Sequence, residues 1–149
     1  MSLSAKIAEE MKVAMKAKDK KRLEALRSIK SAVMLAQTEK AKGSELSESE
    51  ELKILQKLQK QRKDSLDIYE QQNREDLADE ERSQLAVIED FLPRQMDESE
   101  LRAYLQEVIA RVGASSPRDM GKVMGVASKE LAGKADGKTI SVIVKELLA

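Results

Sequence analysis

Residues 97–113 read DESELRAYLQEVIARVG, and this stretch decides the fold class. Its apolar residues recur at intervals of three and four, so they share one face of an amphipathic helix. Asp97, followed three residues later by Glu100, is a helix-start signal, and Gly113 is a typical helix stop. The apolar positions are Leu101, Tyr104, Leu105, Val108, Ile109 and Val112. The period and the two ends together predict an α-helix.

Two more helices are predicted downstream of this stretch, with apolar stripes of the same period. The first has Ser116 as N-cap before a proline and stops at Gly133. The second carries its stripe over residues 140–148. The intervening turn, residues 133–137, offers two glycines for positive φ. We expect Asp136 in this turn to be a helix cap rather than a catalyst.

Four longer helices are predicted upstream. They run over about residues 4–18, 19–41, 47–72 and 77–92. Gly43 and Ser44 break the chain before the third of them, and Ser47 with Glu50 forms the capping-box pattern that starts it. Pro93 then marks the best domain boundary.

The predicted fold is therefore all-α, with no strands, in two helical domains. Residues 1–92 form a four-helix domain and residues 93–149 a three-helix bundle. The composition agrees, because aromatic residues are only 2% of the chain and strands favour aromatic and β-branched side chains. We expect the methionines to be adaptable core fillers. The positions concerned are Met11, Met15, Met34, Met120 and Met124.

Several classes of protein are excluded by residues that the chain lacks. It has no Cys and no His, so thiolate catalysis, Ser–His–Asp chemistry and Cys- or His-ligated metals are excluded. The acidic middle lacks the spacing of a calcium loop, so we expect no metal site and no cofactor. No apolar run is long enough to span a membrane, and the N-terminus does not resemble a secretory signal. We therefore expect a cytoplasmic protein.

The charges sum to zero but are distributed unevenly. Residues 1–42 carry a net charge of +6, residues 43–100 a net of −9 and residues 101–149 a net of +3. One interpretation is a helical bundle that neutralises its own charges between neighbouring helices. The other is that a basic end meets an anion such as nucleic acid.

Several segments carry a resemblance to a known family. They are Arg27-Ser-Ile-Lys-Ser-Ala, Lys60-Gln-Arg-Lys-Asp-Ser, Phe91-Leu-Pro, Asp119-Met-Gly-Lys-Val-Met and Gly133-Lys-Ala-Asp-Gly. Together they resemble the YqeY-like family (GatB/YqeY) of small bacterial proteins. The C-terminal module of that family is similar to the tail domain of the GatB subunit of the glutamine-dependent, tRNA-linked amidotransferase.

The resemblance implies an all-helical, two-domain protein related to a tRNA amidotransferase. In the amidotransferase, the tail module helps to hold tRNA, while an amidase subunit and a kinase-like core perform the chemistry. The family label would be carbon–nitrogen ligase activity with glutamine as amido-N-donor. Because these 149 residues contain no recognisable catalytic set, we expect a non-catalytic module that contacts tRNA or a tRNA–enzyme complex. The alternative is a protein–protein adaptor that uses the N-terminal helices.

The candidate RNA-binding residues lie in the C-terminal domain. On a helical wheel of residues 117–132, the first three cations fall opposite the apolar face, and two more flank the turn that follows. The cations are Arg118, Lys122, Lys129, Lys134 and Lys138. Glycines nearby would let a phosphate backbone approach closely. They are Gly121, Gly125, Gly133 and Gly137. The alternative interpretation is a solvated lysine face followed by a tight corner that needs glycine.

Arg62 is the unusual residue of the third helix, because it falls in the middle of an apolar stripe. A charge in that position needs a partner. One interpretation is an ion pair with an acid of a neighbouring helix, such as Glu24 or Glu89. The other is a pocket arginine that faces an anionic ligand between the two domains.

Overall fold

The structure is a computed structural model that describes residues 1–41 and 44–149. Within these residues it contains helices and no strand, so the predicted all-α fold is confirmed. The seven α-helices are α1 Leu3–Lys16, α2 Lys20–Glu39, α3 Glu48–Gln71, α4 Glu75–Asp90, α5 Glu98–Val112, α6 Met120–Glu130 and α7 Gly137–Leu148. The predicted break at Gly43 lies outside the described residues.

Three of the predicted helix starts have a side chain that binds a backbone amide. The Ser47 hydroxyl accepts from the Glu50 amide at 3.1 Å, and the Glu50 carboxylate accepts from the Ser47 amide at 2.7 Å. Asp97 caps α5 and Asp136 caps α7, each by accepting from the amide three residues later. Gly113 ends α5 with φ of 70°. These contacts satisfy amides that a helix leaves unpaired at its start.

The contacts divide the chain into two compact units, Met1–Leu92 and Pro93–Ala149. In the first unit α1 packs along α2, α3 packs along α4, and α2 also packs against α4. In the second unit α6 packs against both α5 and α7. Each unit has its own apolar cluster of buried side chains. That the units are two independently folding domains stays a prediction.

Two of the predicted core methionines are not buried. Met15 is 52% exposed and Met34 is 53% exposed. The reason for Met15 is geometric, because each step of four residues advances a helix position by about 40°. Ile7 lies on the buried face of α1, whereas Met15 lies to one side of that face, and Ala14 is buried instead. Met11, Met120 and Met124 do pack against the cores.

The predicted helix over residues 117–132 is divided in two. Residues Pro117–Asp119 form a short 3-10 helix, and α6 begins only at Met120. Ser116 makes no side-chain capping bond, which corrects the predicted N-cap. The Asp119 amide donates to the Ser116 carbonyl at 2.9 Å, and its carboxylate accepts from the Ser115 amide at 2.9 Å. Bonds of three-residue spacing tighten this turn relative to an α-helix.

Candidate nucleic-acid interface

Helix α6 has one buried and one exposed face. Val123 and Ala127 are fully buried, and Leu131, just after the helix, is 2% exposed. Lys122 and Lys129 are exposed on the opposite side. They are seven residues apart, which is about two turns, or roughly 10 Å along the axis. The structure thus brings these two predicted cations into one row pointing away from the core.

The other predicted cations lie at the two ends of α6. Arg118 belongs to the 3-10 helix that precedes α6. Lys134 lies in the turn that follows α6, and Lys138 is in the first turn of α7. All three are exposed. A single helix over residues 117–132 would place Arg118 in the same row as Lys122 and Lys129. Because Arg118 lies in the 3-10 helix, it does not continue that row.

Acidic partners neutralise the other arginines of this unit. Arg94 binds both carboxylate oxygens of Glu100 at 2.9 Å. The remaining pairs are Arg102 with Glu98 and Glu146, and Arg111 with Glu107 and Glu130. Among the described residues, none of the five candidate cations forms a salt bridge. Their positive charge is available to an outside anion.

The acids nearest to the candidate cations in sequence already have other roles. The Ser115 amide donates to Asp119, which lowers the pKa of that carboxyl, and the charge of Lys122 adds to the effect. Arg111 and Tyr104 donate to Glu130 and lower its pKa too. Asp136 is engaged as the cap of α7. These three acids thus take part in folding contacts, and none of them forms a salt bridge with a candidate cation in the described structure.

The four candidate glycines fall into two groups. A Cβ added at Gly121 or Gly125 would meet nothing within 4 Å, so packing does not demand glycine on this exposed side of α6. Gly133 is buried and has φ of 78°. Gly137 starts α7 without a positive φ, so the expectation of two such glycines is wrong for it. The Asp136 cap already places Gly137 in helical conformation.

We expect Gly133→Ala to destabilise the chain by about 1 kcal/mol, because an L side chain is strained in the left-handed region. Gly137→Ala serves as the matched control, since a Cβ there has open space and a helical backbone. It should leave the free energy of unfolding unchanged or raise it slightly. Urea denaturation followed by circular dichroism measures both. Equal losses in the two variants would contradict the assignment.

Arg62 of α3 has partners within the first unit. One of its terminal nitrogens lies 3.3 Å from each carboxylate oxygen of Glu81 on α4, and the other donates to the Ser28 hydroxyl at 3.3 Å. The predicted partners Glu24 and Glu89 are therefore wrong. Glu89 lies about two turns further along α4 and accepts from the buried Gln59 instead. The register of the α3–α4 hairpin decides which acid faces Arg62.

Two further features, a metal site and a membrane-spanning helix, can be assessed for residues 1–41 and 44–149. They contain no group of three or more acidic side chains placed to hold a metal ion. No helix in this part of the chain is long and apolar enough to cross a membrane. The acidic middle of the sequence instead forms ion pairs, such as those of Arg82 with Glu70, Glu75 and Asp79.

The sequence profile of the Yqey-like protein family matches residues 4–148, which is nearly the whole chain. The chain belongs to this family. No curated protein matches it. In this YqeY-like chain, residues 119–124 of the resemblance run from the end of the 3-10 helix into α6, and residues 133–137 run from the turn after α6 to the first residue of α7. These segments therefore supply Lys122 and Lys134 of the candidate interface.

Sequence reasoning missed the polar group formed by Tyr104, Arg111 and Glu130. The Tyr104 hydroxyl and the Arg111 guanidinium both donate to the Glu130 carboxylate. Tyr104 appears in the sequence only as a member of the apolar stripe of α5. Glu130 comes 26 residues after it, so no local spacing connects the two. Contacts between α5 and α6 bring them together.

Proposed function

We propose that this YqeY-like protein is a non-catalytic module that binds tRNA, or a tRNA–enzyme complex, through the exposed face of α6. The observation that carries the proposal is the contrast within the second unit. Arg94, Arg102 and Arg111 are neutralised by acids, whereas none of the five candidate cations has a salt bridge to a described residue. Cations without an acidic partner can contact the phosphates of a nucleic-acid backbone.

The family supports the same assignment. The C-terminal module of the family resembles the GatB tail, which helps to hold tRNA in the amidotransferase. The family label of carbon–nitrogen ligase with glutamine as amido-N-donor would need a catalytic set, and the commonest nucleophiles and bases, Cys and His, are absent from the sequence. We infer that catalysis belongs to a partner. A cytoplasmic location, where tRNA is found, follows from this proposal.

We expect the protein to recognise the phosphate backbone and the overall shape of the RNA. Single-stranded RNA is usually recognised by stacking bases on several aromatic side chains. This chain has one Phe, two Tyr and no Trp. Lysines on a helix favour phosphate contacts instead, which are indifferent to sequence.

Binding of bulk tRNA to the full chain over a salt series of roughly 50 to 200 mM tests the proposal. We expect micromolar or tighter binding at the low end and a steep loss of affinity as salt rises, because each phosphate contact releases counterions. Binding that is absent, or that does not respond to salt, would refute it.

We expect Gly125→Ala to weaken tRNA binding without weakening the fold. Alanine is preferred to glycine in a helix by about 1 kcal/mol, and the added Cβ has open space. The methyl group would keep a phosphate backbone from approaching α6. The measurements are tRNA affinity and urea denaturation of the same variant. Ser128→Ala is the control, because it changes an exposed residue of the same helix without adding a Cβ. Affinity equal to that of the unaltered chain would contradict close approach at Gly125.

One observation favours the alternative function, a protein–protein adaptor. Met34 and Leu35 of α2 are 53% and 62% exposed, which is unusual for adjacent large apolar residues on a helix. A protein partner that survives nuclease treatment and is lost when both residues are changed to lysine would support this function. Retention of that partner by the double variant would count against it.

A further inference from the structure

Helix α2 carries exposed cations that the candidate interface does not include. Lys20, Arg27 and Lys30 are exposed, while Leu26 and Ile29 of the same helix are buried. Lys20 and Arg27 are seven residues apart, which is about two turns, so they lie on the same side of the helix. Arg27 and Lys30 also belong to the first of the segments that carry the family resemblance. The proposed function gives that segment no role.

No acid in the described part of the chain forms a salt bridge with these three cations. The salt bridges of α1, α2 and the segment that follows α2 involve Arg22 and Lys40 instead. Helix α2 contains five Lys or Arg residues and two Glu residues. Of the two acids, Glu24 lies between Lys20 and Arg27 and is exposed. This side of α2 therefore keeps a net positive charge.

Two large apolar residues continue the same surface toward the end of α2. Met34 lies seven residues after Arg27, hence on the same side of the helix, and it is 53% exposed. Leu35 follows it and is 62% exposed. We call Lys20, Arg27, Lys30, Met34 and Leu35 the outer face of α2. It extends roughly 22 Å along the helix, since each residue adds 1.5 Å.

The combination of charge and apolar surface distinguishes between kinds of partner. The phosphates of an RNA would contact the cations but would leave Met34 and Leu35 in water. A partner helix packs along residues that are three, four and seven apart, whereas these two residues are adjacent and point about 100° apart. An anionic lipid surface accepts cations at its headgroups and apolar side chains beneath them, without a fixed spacing.

Ile68 of α3 provides a comparison within the same unit. It is 51% exposed, much as Met34 is. Asp64 lies one turn before Ile68 and Asp67 lies next to it, whereas Lys30 lies one turn before Met34. An anionic surface is repelled by acids and attracted by cations. The two exposed apolar positions therefore differ in the sign of the charge beside them.

We propose that the outer face of α2 binds an anionic lipid surface. Arg27 and Lys30 contact the headgroup phosphates, and Met34 and Leu35 insert between the headgroups. Binding of this kind is peripheral and reversible, and salt weakens it because the charges are screened. The inference does not rest on the proposed function, since all of these residues belong to the first unit.

The first test places a tryptophan on the outer face of α2. The chain has no Trp, so Met34→Trp introduces a single reporter, whose emission shifts to the blue when the ring leaves water. We expect a blue shift when vesicles of phosphatidylglycerol are added to the full chain at low salt, and none with vesicles of phosphatidylcholine. Ile68→Trp is the matched control and should shift with neither. No shift in Met34→Trp, an equal shift with both lipids, or equal shifts in both variants would overturn the proposal.

The second test removes charge from the outer face and leaves its apolar residues in place. Arg27→Ala/Lys30→Ala should lower the partition of the chain into phosphatidylglycerol vesicles about tenfold or more, because each cation near an anionic surface adds to binding. Co-sedimentation at low salt measures the partition. Lys53→Ala/Lys60→Ala removes the same charge from exposed positions of α3 and should leave the partition nearly unchanged. Equal losses would show that binding follows net charge and would overturn the proposal, and circular dichroism verifies that each variant is folded.

Measurements of tRNA binding separate this inference from the proposed function. A chain that binds tRNA but not the vesicles overturns the inference alone, and a chain that binds the vesicles through α2 but not tRNA overturns the proposed function alone. If Arg27→Ala/Lys30→Ala lost tRNA affinity and kept its vesicle binding, the outer face of α2 would belong to RNA. If the vesicles did not bind and a protein partner required Met34 and Leu35, the face would belong to that partner. Either result would overturn the inference.

Discussion

The double variant Lys122→Ala/Lys129→Ala is expected to lose on the order of tenfold of its tRNA affinity at low salt. The slope of log affinity against log salt should become shallower by about 2, or about 1 for each phosphate contact removed. Both lysines are exposed, so the fold should keep its stability. A salt series measured by filter binding or fluorescence anisotropy provides both quantities.

The matched control is Lys53→Ala/Lys60→Ala on α3. These lysines are also exposed and also seven residues apart on a helix, so the same net charge is removed with the same spacing. The Lys60 pair with Asp64 is a surface pair and contributes little to stability. If the control lost as much affinity as the α6 variant, binding would follow net charge, and α6 would not be the interface.

The second large effect is expected for Arg62→Ala, which should destabilise the chain by about 2 kcal/mol. The side chain of Glu81 is only 12% exposed, so removing Arg62 leaves a largely buried carboxylate without its cation. The full cost of breaking a buried pair, about 3 to 5 kcal/mol, is reduced because the Arg62 side chain is 28% exposed. Urea denaturation measures the difference in the free energy of unfolding.

Arg74→Ala is the control for this prediction. Its pair with Asp76 is more than half exposed on both sides, so the loss should stay within about 1 kcal/mol. A second variant, Arg62→Met/Glu81→Leu, removes both charges and should recover most of the stability lost in Arg62→Ala. An unchanged midpoint in Arg62→Ala would show that the pair does not stabilise the unit.

Local chemistry explains why the helices and several of their ends were predicted correctly. The capping box of Ser47 and Glu50 and the Gly113 stop depend on residues that are neighbours in the chain. The start of α6 was predicted incorrectly, because Ser116 and Pro117 satisfy the rule for an N-cap while Asp119 binds the Ser115 amide. The Ser116 N-cap signal and the bond from the Ser115 amide to Asp119 are both local, and the turn forms the second of them.

The candidate cations show the limit of sequence reasoning about the site. A helical wheel could place Lys122 and Lys129 opposite the core, because that depends on periodicity alone. It could not show that Arg111 is neutralised by Glu130 from another helix while Lys129 has no such partner in the described structure. Those facts depend on which helix faces are packed together.

By itself, the sequence determined the all-α class, the positions of the helices and the exposed row of lysines, since all of these follow from residues within a few turns of each other. Only the tertiary structure decided that Arg62 meets Glu81, that Tyr104 and Arg111 meet Glu130, and which cations remain without an acid. The physical reason is that Arg62 and Glu81 are 19 residues apart and Tyr104 and Glu130 are 26 residues apart, so only the packing of different helices brings them together.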